Sequence, residues 1–214
     1  MTRVEQPTDE STYHPNMRLV SIGVGVLLLG ACGDDGGSSS VDATVEDGSS
    51  DDAASDAPLV QMTLTSTAYA EGAAIPLAHV CTTRAGMNQS PPLAWTNVPA
   101  GTMSFAIVFT DLNNGLVHSA IYDIPGTLTS IPGNVDKVYA PQSVPGAHHP
   151  QAWTNTRGYE GPCPNLPSTY EHKIYALATS TVPNSVMSTT RAELVAELTA
   201  NNLGTGTLTG TFSP

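Results

Sequence analysis

The chain has few basic residues, and this scarcity excludes one broad class of function. Its 214 residues contain seven Lys and Arg against 19 Asp and Glu, which gives a formal net charge of −12. No part of the sequence gathers Lys and Arg into a stripe that would neutralise a phosphate backbone. Nucleic acid is therefore not an expected partner.

The chain also lacks an apolar run long enough for a transmembrane helix. The run Leu19–Leu29 has eleven residues, which is too short to cross a bilayer and fits the hydrophobic region of a signal peptide. It ends in Leu29-Gly30-Ala31-Cys32, which is similar to a lipobox, where the cysteine becomes the lipid-bearing N-terminus. We predict a signal region over residues 1–31, lipidation at Cys32, and anchoring to the inner or outer membrane of a bacterial cell envelope. Residues 1–16 are polar and do not fit such a signal, so we expect translation to start at Met17.

The negative charge is concentrated directly after this signal. Residues 33–60 carry eight acids and no Lys or Arg, whereas residues 61–214 carry eight acids and five bases, a net charge of −3. A segment so rich in Gly, Ser, Asp and Ala buries too little apolar surface to fold. We expect residues 32–60 to form a lipidated, disordered acidic tether that spans roughly 25–30 Å. This shift in composition also argues against the alternative that the run before Cys32 is a short buried strand.

Cysteine is scarce, with three residues in the whole chain. If Cys32 is lipidated, Cys81 and Cys163 remain, and two cysteines in an exported protein favour one disulfide. Such a bridge would stabilise the fold by about 4–5 kcal/mol through loop entropy. Two free, partly buried thiols are the alternative, and the sequence does not decide between them.

The pattern of residues 61–214 predicts a mostly-β domain. Ser104–Thr110 is almost continuously apolar, which is typical of a central strand buried on both faces. A helix is predicted over Arg191–Asn201, capped by Ser188 or Thr189, and Trp95 is expected to anchor the core. The other predicted strands are Gln61–Thr67, Ile75–Cys81, Leu116–Ile124, Glu171–Ser180 and Thr205–Phe212. Many strands, one late helix and frequent turn residues favour a mostly-β domain of about 150 residues.

Several motifs, in order along the chain, resemble the phosphatidylethanolamine-binding protein family, in its bacterial Raf-kinase-inhibitor-like (YbhB/YbcL-like) branch. They are LTSTAYAEGAAIPLAHVC at 64–81, NQSPPLAW at 88–95, VPAGTMSFAIVFTD at 98–111, VHSAIYDIPG at 117–126, GYEGPCP at 158–164 and YAL at 175–177. The resemblance extends over Met62–Phe212. It implies two antiparallel sheets in a Greek-key arrangement, a short C-terminal helix, and a small pocket for a phosphate or a phospholipid headgroup.

The resemblance also implies which residues form this pocket. Asp111 falls on the first aspartate of the family's Asp-Pro-Asp loop, although Leu112 and Asn113 replace the next two residues. His118 falls on the pocket histidine, followed by Ser119 where the family usually has Trp. The sequence Gly161-Pro162-Cys163-Pro164 matches the family without change.

The position of the family's second pocket histidine has two interpretations. An alignment without gaps places Ser168 at the histidine and Tyr170 at the tyrosine that follows it. His172 is the alternative, because it is the only histidine downstream of the Gly161 loop. Alternate residues of a strand share a face, so Ser168, Tyr170 and His172 are all candidate ligand-binding residues.

These residue types would suit the binding of an anion. A close Asp111–His118 pair would raise the pKa of the histidine and favour an imidazolium, and the backbone N–H groups near Gly161 could also bind an anion. The alternatives are a turn-capping aspartate, a strand histidine that is merely hydrogen-bonded, and a loop that only connects two elements.

We therefore predict a non-catalytic protein that binds a small anion or a phosphorylated or phospholipid headgroup. The alternative is a protein-interaction module that inhibits or scaffolds a kinase or a protease. No Gly-x-Ser-x-Gly or P-loop motif occurs. His148, His149, His172 and Cys163 lack the short spacing of a zinc site, and a disulfide would abolish any Cys163–His nucleophilic dyad. No metal or cofactor is predicted.

Overall fold

The computed structural model describes residues 59–152 and 156–214. The predicted signal region, the lipidation of Cys32 and nearly all of the tether lie outside these residues. The elements in chain order are β1 Val60–Gln61, β2 Thr63–Thr65, β3 Leu93–Thr96, β4 Ser104–Asp111, β5 Leu116–Pro125, β6 Ser130–Ile131, β7 Ser168–Leu177, α1 Arg191–Ala200 and β8 Asn202–Phe212. Within the described residues, no helix is long and apolar enough to cross a membrane.

The strands form two sheets, as the family resemblance implies. The larger sheet has the order β1-β8-β7-β4-β5 and the smaller one has the order β2-β3-β6. β7 returns to pair with β4 instead of β5, which gives the non-meander connection of a Greek key. The short β1 pairs parallel to β8, so this edge departs from the otherwise antiparallel pairing of the strands.

β4 lies at the centre of two apolar clusters, which confirms its prediction as a strand buried on both faces. Phe105, Ile107 and Phe109 face the space between the sheets, where the side chain of Trp95 is 2% exposed. The alternate residues of β4 face the other side and pack in a cluster that includes Leu194 and Leu198 of α1. Because successive side chains of a strand point to opposite faces, the continuous apolar run serves both clusters.

The predicted strand Ile75–Cys81 is wrong. Pro76 lies just before a short 3₁₀ helix at Leu77–His79, and a second one follows at Thr82–Arg84. Proline has no N–H for a ladder hydrogen bond, so apolar character alone does not make this segment a strand.

Several other boundaries differ from their predictions. The predicted strand Gln61–Thr67 is divided into β1 and β2, and β8 begins at Asn202 instead of Thr205. β7 begins at Ser168, three residues before the predicted start, because its first residues pair with β8 as far as Phe212, and it ends at Leu177 instead of Ser180. The cap of α1 is Thr190, whose hydroxyl accepts from the N–H of Glu193, while the Glu193 carboxylate accepts from the N–H of Thr190. This reciprocal capping box satisfies two N–H groups at the helix start, whereas the hydroxyl of Thr189 accepts from the N–H of Val186.

Candidate functional site

An open cleft of about 520 Å³ lies where β4, β5 and β7 meet at one end of the larger sheet. The β4–β5 hairpin forms one side, and the loop of residues 163–167 before β7 forms the other. The cleft is lined by Asp111, Asn113, Asn114, Leu116, His118, Cys163, Pro164, Asn165, Leu166, Pro167, Ser168 and Tyr170. The fold therefore brings four of the predicted site residues together: Asp111, His118, Ser168 and Tyr170.

Asp111 ends β4 and is 3% exposed. Its Oδ1 accepts hydrogen bonds from the N–H of Asn113 at 2.9 Å and from the hydroxyl of Ser168 at 2.6 Å. Its Oδ2 accepts from the amide of Asn114 at 3.2 Å. The carboxylate thus closes the hairpin turn and also joins β7 to it, which combines the turn-capping role with a place in the cleft.

His118 lies on β5 and is 6% exposed. Its Nδ1 donates to the carbonyl of Glu160 at 3.2 Å, and its ring meets the ring of Tyr170 edge-on at 5.5 Å. Burial lowers the pKa of His118, and this effect outweighs the opposing influence of the Glu160 carbonyl and of Asp111. Asp111 acts in the expected direction, but the expected net rise of this pKa is wrong, because burial disfavours the imidazolium by more than the nearby carboxylate stabilises it.

Tyr170 is almost completely buried beside this histidine. Its ring stacks on that of Phe109 with the centroids 5.5 Å apart and the planes 25° apart. Burial, followed by the charge of Asp111, raises the pKa of Tyr170 to about 12. The phenol is therefore neutral at physiological pH, and because its hydroxyl is buried, Tyr170 contributes mainly an uncharged ring to the wall of the cleft.

His172 lies on the same face of β7 as Ser168 and Tyr170, but it is deeper and outside the cleft lining. It is 3% exposed, it is hydrogen-bonded to the hydroxyl of Tyr69 at 2.8 Å, and it stacks on Phe109 at 4.2 Å. Burial lowers its pKa to about 3. The structure therefore places His172 in the core, and Ser168 at the edge of the cleft.

Gly161 and Pro162 are also absent from the cleft lining, and their backbone groups have other partners. The N–H of Gly161 donates to Asn88 Oδ1 at 2.8 Å, and the carbonyl of Pro162 accepts from the N–H of Cys81 at 3.1 Å. A Cβ atom on Gly161 would lie 2.2 Å from the carbonyl oxygen of His79. Glycine is needed here for close backbone packing, and its N–H already donates to Asn88. Donation to an anion by the other N–H groups of this loop stays a prediction.

Cys81 and Cys163 form a disulfide with their Cα atoms 5.5 Å apart. The predicted bridge is present, and the alternative of two free thiols is wrong. The bridge attaches the 163–167 loop to the segment around residues 79–88, so one side of the cleft is covalently fixed. It also leaves Cys163 without the thiolate that a nucleophile requires.

The histidines outside the cleft have structural partners. His148 Nδ1 pairs with Asp123 Oδ2 at 3.0 Å, and His149 Nδ1 donates to the carbonyl of Ala120 at 2.8 Å. Across residues 59–152 and 156–214, no three His, Cys, Asp or Glu side chains are grouped so that they could hold a metal ion.

The cleft contains residues that the sequence did not single out as ligand-binding, in particular the asparagines at 113, 114 and 165. The sequence offered a weak signal for the first two, since Asp-x-Asn-Asn is typical of a turn closed by side-chain hydrogen bonds. Asn165 had no such signal, because its position depends on the disulfide and on Arg84.

Comparison with known proteins agrees with this architecture. Residues 65–213 match the sequence model of the family described as phosphatidylethanolamine-binding protein. The UPF0098 protein YbcL of Escherichia coli K12 is 32% identical over 135 residues, which cover 59% of this chain and 73% of YbcL. A UPF0098 protein of Chlamydia muridarum is 27% identical over 161 residues, which cover 71% of this chain and 98% of that protein. That relative therefore consists almost entirely of this domain.

Solved structures show the same fold. The crystal structure of Escherichia coli YbcL, described as a member of the mammalian PEBP family, has a TM-score of 0.65 and 28% identity, and covers 72% of this chain and 98% of YbcL. A homologue from Chlamydia trachomatis has a TM-score of 0.59 with the same coverage, and its 23% identity supports the fold alone. The chain therefore belongs to the YbcL-like branch of the phosphatidylethanolamine-binding protein family.

Proposed function

We propose that this protein is a lipid-anchored, non-catalytic protein of the bacterial cell envelope whose cleft binds a small anion or a phosphorylated headgroup. One observation carries the proposal: Asp111, His118, Ser168 and Tyr170 line a single open cleft. These side chains expose little surface, and they line a cleft that is open to solvent, so a small polar ligand in the cleft would lie against them.

The chemistry of the cleft suits a phosphate oxygen better than a reaction centre. Asp111 accepts three hydrogen bonds, so it is a poorly available base. Cys163 is held in a disulfide and offers no nucleophile. A ligand would be bound without bond cleavage.

Ligand titration of His118 tests this proposal. The test uses residues 33–214, which contain the whole domain, and follows the imidazole signals of His118 by NMR. We expect inorganic phosphate or glycerophosphoethanolamine to shift these signals at concentrations up to about 10 mM. The signals of buried His149, outside the cleft, are the internal control and stay unchanged. If neither ligand moves the signals of His118, the proposal is wrong.

The anchor is tested separately in cells. Metabolic labelling with a clickable fatty acid would mark the wild-type chain, whereas Cys32→Ser would abolish both the label and recovery in the membrane fraction. Equal labelling of the two chains would contradict lipidation at Cys32.

A specific feature favours a protein-interaction module as the second candidate. Leu166 is 76% exposed at the mouth of the cleft, on the loop that the disulfide fixes. A rigid loop that presents a large apolar side chain suits a contact with a partner protein, because little conformational entropy is lost on binding. A partner captured from an envelope extract by wild type and His118→Gln, but not by Leu166→Ser, would favour this candidate over the first.

A further inference from the structure

Two asparagines on opposite sides of the cleft have their amide groups oriented by donors. The N–H of Thr169 donates to Asn113 Oδ1 at 2.9 Å, and the guanidinium of Arg84 donates to Asn165 Oδ1. A backbone N–H and a guanidinium can only donate, so the atom that each one contacts must be the amide oxygen. The other end of both side chains is therefore the NH₂ group.

These two NH₂ groups are available for a ligand. Asn113 and Asn165 are exposed residues that line the cleft, and within the described part of the chain their NH₂ groups donate to no protein acceptor. An NH₂ group has two hydrogens and no lone pair to offer, so it binds anions and carbonyl oxygens and does not bind cations.

The side-chain amide of Asn114 is oriented in the same way, but its NH₂ group already has an acceptor within the protein. Its Oδ1 accepts from the N–H of Leu116 at 2.8 Å, and its NH₂ group donates to Asp111 at 3.2 Å. Asn114 thus holds the hairpin together, whereas Asn113 and Asn165 have both hydrogens available.

The charge of the cleft makes these amides important. The residues that line it include the carboxylate of Asp111 and no Lys or Arg, and the burial of His118 favours its neutral form. Arg84 lies outside the lining but donates to Asn165, and a hydrogen bond accepted by an amide oxygen strengthens donation by its NH₂ group. At neutral pH the cleft therefore offers uncharged donors to an anion.

We propose that the NH₂ groups of Asn113 and Asn165 bind the charged oxygens of a phosphate group from the two sides of the cleft. This inference rests on the proposed function and names the donors that act there. The shared chemistry is a phosphate oxygen, carried either by free phosphate or by the phosphodiester of a lipid headgroup.

Substitution by aspartate removes the proposed donor and adds a negative charge. Asn113→Asp and Asn165→Asp keep an oxygen that accepts from Thr169 or Arg84, replace the NH₂ group by oxygen, and place a charge that both oxygens share. Asn113→Ala and Asn165→Ala remove the NH₂ group without this charge, and a loss of affinity in them as well separates the missing donor from charge repulsion. We expect each aspartate variant to lose at least about tenfold in affinity for phosphate. Asn134→Asp, an exposed change outside the cleft lining, adds the same charge and is the matched control, with an expected loss below about twofold.

NMR titrations of residues 33–214 with inorganic phosphate, glycerophosphoethanolamine and ethanolamine distinguish the possible outcomes. Binding of either phosphate compound by wild type and by Asn134→Asp, with loss in the aspartate and alanine variants of both cleft asparagines, supports the inference, and the tighter compound identifies the source of the phosphate. Wild-type affinity in both aspartate variants or in both alanine variants overturns the inference and leaves the proposed function standing. If wild type binds neither phosphate compound, or binds only ethanolamine, both are overturned.

Discussion

The hydroxyl of Ser168 donates to Oδ1 of Asp111 across 2.6 Å, and this contact joins the first residue of β7 to the last residue of β4. Both side chains are buried at the edge of the cleft. The small hydroxyl of Ser168 therefore binds the carboxylate that closes the hairpin directly.

The first prediction concerns this contact. Ser168→Ala removes one of three donors to a buried carboxylate, and we expect the free energy of unfolding to fall by about 1.5–3 kcal/mol, as for hydrogen bonds to charged groups. Urea unfolding followed by circular dichroism measures this change, with the exposed Ser213→Ala as control. Equal stability of Ser168→Ala and wild type would show that the bond contributes nothing net.

Acid sensitivity is the second prediction. Burial lowers the pKa of His172 to about 3, so the unfolded chain binds a proton between pH 6.5 and about pH 3 that the folded chain does not bind. Stability is therefore fully present above pH 6.5, and it falls by about 1.4 kcal/mol per pH unit below that value for this residue alone. Burial lowers the pKa values of His118 and His149 as well, which adds to the slope.

His172→Phe measures the share of His172 in this slope. The variant keeps an aromatic ring against Phe109 but has no group that titrates. The slope of unfolding free energy against pH therefore decreases by about 1.4 kcal/mol per pH unit, which corresponds to one proton. An unchanged slope would mean that His172 binds a proton in the folded state as readily as in the unfolded state.

The disulfide gives the third prediction. Its cysteines are 82 residues apart, and the double variant Cys81→Ser with Cys163→Ser loses the restriction of the unfolded chain. The loop-entropy model predicts destabilisation by about 4–5 kcal/mol, measured by urea unfolding. Reductant lowers the stability of wild type by a similar amount and leaves the double variant unchanged. A wild-type midpoint that is insensitive to complete reduction would contradict this prediction.

The fourth prediction is that anion binding strengthens in acid. The pKa of His118 is lowered in the free protein, so an anion that gains from an imidazolium binds together with a proton. Asp111 and Glu160 favour this proton, whereas burial and Arg191 oppose it. Dimethyl phosphate keeps one negative charge over this pH range. We expect its affinity to rise by up to about tenfold for each pH unit below the ordinary histidine pKa. In His118→Gln this pH dependence is absent, and its persistence there would assign it to another group.

The fold was largely predictable because its strongest signals are local. Residues that are close in sequence produce these signals: the continuous apolar run of β4, the turn between β4 and β5, and the apolar stripe of α1. The errors arose where a single residue or a tertiary contact decides the structure. Pro76 precedes a 3₁₀ helix in an apolar segment that was predicted as a strand, and the pairing with β8 extends the start of β7 to Ser168.

The site was less predictable because its properties depend on tertiary contacts. Sequence position placed Asp111 and His118 in one cleft, but the pKa of His118 depends on how deeply the fold buries it. His172 lies on the same face of β7 as Ser168, but it is farther along the strand and lies in the core. The alternation of side chains along a strand could not distinguish this position from one in the cleft. The orientation of the Asn165 side-chain amide depends on a hydrogen bond from Arg84, which is 81 residues away in sequence.

A crystal of residues 33–214 soaked in glycerophosphoethanolamine or inorganic phosphate tests the central claim most directly. The account predicts density for a phosphate group inside the cleft, within hydrogen-bond distance of the amides of Asn113 and Asn165 and beside His118. An empty cleft after soaking, or a phosphate bound only elsewhere on the domain, would contradict it.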